Sequence, residues 1–479
     1  MHKVTISRTY LARTLLLAFL LLWPLLLTGK PAYMLDSAYY QNGGKTAVTF
    51  VAKKLHINLP SAQQPAARPA AGAAQGEDKI VARSIVYSVL GYALNGPGVS
   101  MIYLALFQAL CVALVVVALF MALAGPSTRA FVFLTVVLVG GTGLAPVATF
   151  ILPDCFAGIM VGTLAVLPFY WRRFSPVLLF LLVMAAIASV TVHASHPPVA
   201  AGMAVLATFV ILLLRQRGQR GARRVRLAIL WLPVVAGVAA TMLTGLIGFG
   251  QVSIAPKSFP LALARGLDNG PANWYLKDVC AKDRHAYAMC EVYGTDIPDD
   301  VDRFLFKPGN VVNRATPEQL DRIRAEEKEI LVRTTLRYPL HQAYIVLRDV
   351  PDQFISFELD YLFYDGRLQA MPNGKVVLFD ADSGNVPPLI GLLSILDYAA
   401  VLASLALLAW SWRRLTFEQR GVVLIVLSGL LANAAVCAIF SGVAPRYQAR
   451  IVWLLPLVAI AFARDWSGGG WQTLGKGKA

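Results

Sequence analysis

The sequence predicts an all-α polytopic membrane protein with about ten transmembrane helices and an extracytoplasmic region of α/β or mixed structure. Of the 479 residues, 57% are hydrophobic and 15% are charged, and the mean hydropathy of +0.60 excludes an ordinary soluble domain. Apolar runs of roughly 20 residues, the length that crosses about 30 Å of hydrocarbon, recur along the chain. Because lipid offers the backbone no hydrogen-bond partner, these runs should be helices.

The predicted spans divide the chain into three parts. Residues 1–250 hold seven spans, with an outer loop and an interfacial helix within 29–98. Residues 251–386 form the extracytoplasmic region, and 387–479 hold three spans and a cytoplasmic tail. The ten predicted spans are 11–28, 99–124, 129–152, 155–171, 174–193, 197–214, 227–250, 387–412, 421–443 and 448–464.

The first and last apolar runs differ from the others. The first has a basic flank but no small-residue cleavage site after it, which predicts an anchor that is not removed. The last has only 13 uninterrupted apolar residues, Ile451 to Ala463, and contains Pro456. It either crosses as a short helix buried in protein or does not cross.

Lysine and arginine in the short loops predict the orientation. With the N-terminus inside, the outer turns 153–154 and 194–196 carry no Lys or Arg, and 444–450 carries only Arg446 and Arg450. Much of the net charge of +16 is then a topology signal and an attraction to anionic lipid, and a nucleic-acid partner is not expected. A bacterial inner-membrane location with both termini cytoplasmic follows. The inner basic residues are Lys3, Arg8, Arg13, Arg129, Arg172, Arg173, Arg215, Arg217, Arg220, Arg223, Arg224, Arg226, Arg413, Arg414 and Arg420.

The outer segments contain local signals. Residues 57–79 are rich in Ala, Pro and Gln and are typical of a flexible linker, whereas 80–94 has the apolar spacing of an interfacial helix. Thr316 and Pro317 predict a helix start. Cys280 and Cys290 are expected to form a disulfide in an oxidising compartment, the alternative being two free thiols.

Several polar residues converge on the predicted outer face. Asp36 follows the first span and Asp154 lies at a later span boundary. On the predicted topology both acids share their side of the membrane with a histidine pair and two late arginines. These four residues are His193, His196, Arg446 and Arg450.

This layout resembles the GT-C class of membrane glycosyltransferases, which transfer sugars from polyprenyl-phosphate carriers on the outer face of the membrane. The resemblance covers 1–200 and 420–464. It implies that Asp36 is the general base or a site organiser, that Asp154 is the acid of the second acidic motif, and that 80–94 is the interfacial helix of that class. Many members carry their large outer region after the last span, whereas this chain places it between spans.

The resemblance also implies substrate-binding residues. Arg446, in the stretch Ala-Pro-Arg-Tyr, or Arg450 would contact the carrier phosphate, with Tyr447 beside them and Arg83 on the interfacial helix. The implied partners are a polyprenyl-phosphate-linked sugar donor, an envelope glycan or lipid acceptor, and membrane lipids. General chemistry agrees, because a sugar hydroxyl needs a carboxylate to accept its proton and a phosphate leaving group needs a cation.

Each candidate also has a structural interpretation. Asp36 could be a solvated loop acid, Asp154 could cap the following helix, and the arginines could be interfacial anchors. His193 and His196 could join Asp154 around a divalent metal ion, or could be ordinary turn histidines.

Asp397, about ten residues into the eighth span, either lies near the outer interface or marks an ion or proton pathway. A transporter or flippase for a lipid-linked or small substrate, with Asp397 in its pathway, is therefore one alternative function. A noncatalytic membrane scaffold whose outer region binds an envelope partner is another.

Overall fold

The structure is a computed structural model, and it describes residues 3–54, 56, 83–214, 220–380 and 387–463. The predicted linker at 57–79, the first residues of the predicted interfacial helix and the predicted tail lie outside the described residues. The part before residue 250 contains α1 (Arg8–Leu21), α2 (Trp23–Thr28), α3 (Leu35–Lys54), α4 (Ile85–Asn95), α5 (Ile102–Ala124), α6 (Thr128–Gly140), α7 (Leu144–Thr149), α8 (Cys155–Tyr170), α9 (Pro176–Thr191), α10 (His196–Leu213) and α11 (Arg220–Phe249).

The later part of the chain forms a compact insertion and a second group of apolar helices. We call residues 251–386 the inserted region. It contains α12 (Leu261–Asp268), α13 (Pro271–Lys282), α14 (Ala288–Tyr293), α15 (Val301–Leu305), α16 (Val311–Arg314), α17 (Pro317–Arg337), α18 (Pro339–Ile355), β1 (Arg367–Ala370) and β2 (Val376–Phe379). After it come α19 (Pro388–Ser411), α20 (Phe417–Phe440), α21 (Pro445–Val452) and α22 (Leu454–Ala463), and short 3-10 turns follow α8 and α19.

The described chain is a multi-pass helical membrane protein by the length and composition of its helices. Eight segments in it are long and apolar enough to cross a membrane, and α4, α6 and α9 are shorter apolar helices. The last segment is 83% buried, which agrees with a crossing shielded by protein. The eight segments are Arg8–Thr28, Ile102–Ala124, Cys155–Arg173, His196–Leu213, Gly221–Phe249, Pro388–Arg414, Phe417–Phe440 and Pro445–Ala463.

The predicted span at 129–152 is not one continuous helix. It breaks after Gly140, and α7 begins at Leu144. The Gly-Gly-Thr-Gly sequence at 140–143 explains the break, since each glycine costs about 1 kcal/mol of helix propensity relative to alanine. Asp397 accepts a hydrogen bond from the amide of Gly143 at this break (2.9 Å).

The transmembrane core is centred on α8, which is apolar on every side and buried along its whole length. Small residues on α8 allow close packing, as expected between helices in lipid. At Gly158 an added Cβ would lie 2.5 Å from Cζ2 of Trp453. The buried helix end that carries Asp154 is therefore held against α21 and α22.

The inserted region has its own apolar core and is mostly helical. Thr316 and Gln319 form a reciprocal cap at the start of α17, and Pro317 occupies the first turn as predicted. A disulfide joins Cys280 to Cys290, with a Cα–Cα distance of 5.0 Å. Strands β1 and β2 form one antiparallel hairpin, in which Arg367 pairs with Phe379. The hairpin contacts α3 through two hydrogen bonds between the Asn42 side chain and the backbone of Val376.

Candidate active-site cavity

A cavity of about 660 Å³ lies between the inserted region and the adjoining ends of the transmembrane helices. Its polar lining includes five residues that the sequence singled out, and its apolar lining comes from all three parts of the chain. The five are Asp36, Arg83, His193, Arg446 and Tyr447. Apolar side chains around them include Met34, Tyr40, Ile85, Pro256, Phe259, Phe306, Val436 and Phe440.

The first ion pair in the cavity joins α3 to the start of α4. Asp36 lies in the first turn of α3, and Arg83 immediately precedes Ser84, the N-cap of α4. Arg83 Nη2 donates to Asp36 Oδ1 at 2.5 Å, and both side chains are 14% exposed. The Arg83 guanidinium also lies over the rings of Phe259 (5.2 Å) and Tyr39 (5.7 Å), so the pair connects α3, α4 and the inserted region.

A second ion pair lies behind the cavity wall. Arg450 Nη1 donates to Asp154 Oδ1 at 2.7 Å, and both residues are buried. Asp154 occupies the N-cap position of α8, yet its carboxylate makes no capping hydrogen bond. The capping interpretation is therefore not what the structure shows, because the side chain is directed to the arginine.

Arg450 has further partners that fix its guanidinium. Its Nη2 donates to Asn433 Oδ1 (2.7 Å) and to Ser195 Oγ (3.3 Å). Neither Asp154 nor Arg450 lines the cavity. The pair holds α8, α20 and α21 together and thereby positions the first turn of α21, where Arg446 and Tyr447 lie.

Arg446 is the cation in the cavity that has no acidic partner among the described residues. Its Nη1 contacts the sulfur of Met34 at 2.9 Å, and its Nη2 donates to the hydroxyl of Tyr447 at 3.1 Å. The guanidinium also lies 4.8 Å from the centre of the Tyr447 ring. A thioether is a weak acceptor, so this guanidinium keeps donor capacity for a ligand.

The two histidines are held by nearby polar groups. His193 Nδ1 is 2.8 Å from Ser195 Oγ, and His196 Nδ1 is 2.6 Å from the carbonyl of Ser189. Burial lowers the pKa of His193 well below its usual value, and the neighbouring His196, Arg450 and Arg446 lower it further. The His193 imidazole is therefore neutral at physiological pH.

The described residues offer no ready-made set of ligands for a divalent metal. In the described ranges no three His, Cys, Asp or Glu side chains are grouped as metal ligands. The carboxylates of Asp36 and Asp154 are each bound to an arginine, and a cation would have to displace it. The predicted metal role of His193 and His196 gains no support from this geometry.

Sequence reasoning missed several residues of the site. Asn433 carried a usable signal, because a polar side chain inside an apolar span usually has a specific partner. Met34 and Phe259 carried none, since their contacts depend on how the inserted region meets the helices. Glu327 also lines the cavity, accepts a hydrogen bond from the Leu263 amide (2.8 Å), and has its pKa raised by burial.

No family model, no curated protein and no solved structure matches this chain.

Proposed function

We propose that this protein is a membrane glycosyltransferase of the GT-C type. It would move a sugar from a polyprenyl-phosphate carrier to a hydroxyl of an envelope glycan or lipid. The observation that carries the proposal is the unpaired Arg446 facing a cavity that also contains Asp36.

The charge balance around the cavity favours an anionic ligand. Asp36 neutralises Arg83 and Asp154 neutralises Arg450, which leaves Arg446 without a counter-ion among the described side chains. A partly buried cation without an ion-pair partner is costly, and a phosphate would offset that cost through short charge-assisted hydrogen bonds. The donor phosphate is accordingly assigned to the Arg446 guanidinium.

Asp36 is assigned to the acceptor. Its carboxylate borders the cavity, where it can accept the proton of a bound hydroxyl, and its ion pair with Arg83 fixes its position. In the proposed reaction the acceptor hydroxyl oxygen attacks the anomeric carbon, and the bond from that carbon to the phosphate oxygen breaks. The hydroxyl proton passes to Asp36, and the electron pair of the broken bond leaves on the phosphate, which Arg446 stabilises.

The apolar part of the cavity suits a lipid-linked donor. Val436 and Phe440 of α20, and Thr241 and Thr244 of α11, bring the lining down to the transmembrane helices. A carrier could therefore keep its isoprenoid chain in the bilayer while its phosphate reaches the cavity. The proposal places the cavity on the extracytoplasmic face of a bacterial inner membrane, with ten crossings and both termini cytoplasmic, as the loop charges predict.

The test compares envelope glycans and lipids by mass spectrometry in cells that lack the protein and in cells that carry variants. Asp36→Asn should abolish the product at normal protein abundance, whereas Asp352→Asn, on an exposed residue outside the cavity, should not. Full product with Asp36→Asn would refute the general-base assignment.

The phosphate assignment has a separate test. Purified Arg446→Ala should lose most binding of polyprenyl phosphate, and Arg367→Ala, on an exposed strand residue, is the matched control. Equal binding by both variants would contradict the assignment. A reporter fused after residue 300 should respond as extracytoplasmic, and a cytoplasmic response would overturn the topology.

One observation favours a transporter as the second candidate. Asp397 is fully buried and bonded to the backbone at the break between α6 and α7, and broken helices with buried acids are common in transporters. In that case Asp397→Asn would stop substrate movement while Asp36→Asn would not. Loss of function with Asp36→Asn but not with Asp397→Asn would support the enzyme.

A further inference from the structure

The imidazole of His193 is held at its Nδ1 edge by Ser195. The backbone amide of Ser195 donates to His193 Nδ1 at 3.1 Å, and the Ser195 hydroxyl lies 2.8 Å from the same nitrogen. Because a backbone amide can only donate, Nδ1 must present its lone pair and carries no proton. The single N–H proton of the ring is therefore on Nε2.

The hydroxyl of Ser195 supports the same arrangement. Its oxygen accepts a hydrogen bond from Arg450 Nη2 at 3.3 Å, so its own proton is free to point at His193 Nδ1. Arg450 is in turn bound to Asp154 and Asn433. The buried ion pair is thus connected through Ser195 to a side chain that lines the cavity.

The Nε2 atom of His193 is available to a ligand. It is bonded to no other group in the described part of the chain, and it is accessible in the cavity that His193 lines. His196 is arranged differently, because its Nδ1 donates to the carbonyl of Ser189 and its Nε2 is buried. His193 therefore presents one N–H donor to the cavity, and His196 presents none.

The Tyr447 ring connects Arg446 to this arrangement. The guanidinium of Arg446 lies 4.8 Å from the ring centre, and that of Arg450 lies 5.3 Å from it. Arg450 also contacts Ser195, the residue that holds His193. Arg446 and His193 are thus gathered around the same turns of α21, and both line the cavity.

The charge of a transferred phosphate changes during the proposed reaction. In the donor the phosphate is a diester with one negative charge, which the single charge of Arg446 matches. When the sugar leaves, the phosphate becomes a monoester, which carries close to two negative charges above a pH of about 6. Arg83, the other cation in the described lining, is already bound to Asp36. The additional charge therefore needs a donor besides Arg446.

We propose that His193 Nε2–H and the Arg446 guanidinium together form the phosphate site of the cavity. His193 binds the oxygen that gains charge as the sugar departs, and this hydrogen bond becomes stronger as that charge develops. The inference rests on the phosphate assignment of the proposed function, and it adds a residue that stabilises the leaving phosphate.

The first experiment determines which ring nitrogen carries the proton. Full-length protein containing nitrogen-labelled histidine is placed in lipid nanodiscs and observed by solid-state nitrogen NMR, and His193→Gln identifies the signals of His193. The expected result is a protonated Nε2 on His193 and a protonated Nδ1 on His196. A proton on Nδ1 of His193 would overturn the proposal.

The second experiment measures binding of a short-chain polyprenyl phosphate and of its methyl diester, which has a single negative charge. His193→Asn should weaken binding of the monoester roughly 10- to 100-fold, as expected for loss of one hydrogen bond to a charged group, and should weaken binding of the diester less. His193→Gln should bind both probes like the unaltered chain, because its amide reaches the position of Nε2 and that of asparagine does not. His285→Asn, on an exposed side chain outside the cavity, is the matched control.

The outcomes separate this inference from the function on which it rests. Unchanged monoester binding by His193→Asn would overturn the role of His193, and Arg446→Ala would show in the same assay whether the phosphate assignment survives. Equal losses in His193→Gln and His193→Asn would mean that the ring only supports the fold, and would also overturn the proposal. No binding of either probe by the unaltered chain would refute the lipid-linked donor and this inference together.

Discussion

The two aspartate–arginine pairs should respond differently to loss of charge. Asp154 and Arg450 are buried, with side chains 5% and 0% exposed, whereas Asp36 and Arg83 are each 14% exposed and border a cavity. Removing one partner of a buried pair typically costs about 3–5 kcal/mol, because the remaining charge stays uncompensated. Removing one partner of the pair that borders the cavity should cost less, because water in the cavity can solvate the charge that remains.

The cost of Asp154→Asn should lie at the lower end of the range of about 3–5 kcal/mol. Arg450 keeps Asn433 and Ser195 as acceptors after the substitution, so part of its hydrogen bonding survives. We expect a loss of about 3 kcal/mol in the free energy of unfolding for Asp154→Asn and a smaller loss for Asp36→Asn. Product formation should nevertheless be lost in both.

The assay is unfolding of the purified protein in mixed micelles, followed by circular dichroism, with glycan mass spectrometry on the same variants. Replacing both partners, Asp154→Leu with Arg450→Met, should recover most of the lost stability, because no buried charge remains. Equal destabilisation by Asp154→Asn and Asp36→Asn would refute the distinction between a structural and a catalytic pair.

Three further predictions test other parts of the structure. The double variant Cys280→Ser with Cys290→Ser should lower the stability of the inserted region by about 2–3 kcal/mol, because the unfolded chain is no longer closed into a loop. The measurement is limited proteolysis, in which cleavage between α12 and α17 should become faster; an unchanged rate of cleavage would contradict the prediction. Because burial holds the pKa of His193 below the usual 6.5, the unfolded chain takes up this proton at a higher pH than the folded protein does. The free energy of unfolding should therefore fall as the pH drops below about 6.5, and His193→Gln should reduce that fall in a plot of stability against pH. Gly158→Ala should cost about 1–3 kcal/mol through contact with Trp453, whereas Gly391→Ala, with no atom nearby, should leave the melting temperature unchanged or higher.

Much of the helical architecture could be predicted because hydropathy depends on local sequence. The apolar runs gave the long helices, and the interfacial helix was expected at 80–94 where α4 covers Ile85–Asn95. The break between α6 and α7 was missed because Gly140, Gly141 and Gly143 lie within a run that is apolar on average. The mixed α/β character expected for the inserted region reduces, in its described part, to one short hairpin.

The candidate site could be predicted only in part. Asp36 and Arg446 were recognisable because each charge lies at the end of an apolar run. The pairing of Asp36 with Arg83, and of Asp154 with Arg450, joins residues 47 and 296 positions apart and depends on tertiary packing.

The Cys280–Cys290 disulfide also bears on how the protein matures in the cell. It lies in the core that supports Phe259 and Phe306, two of the cavity-lining residues. If the inserted region is exported as proposed, this bond forms only after translocation. Phe259 and Phe306 would then cover the Asp36–Arg83 pair only after the disulfide has formed. The newly made protein would remain inactive until its insertion and oxidation were complete.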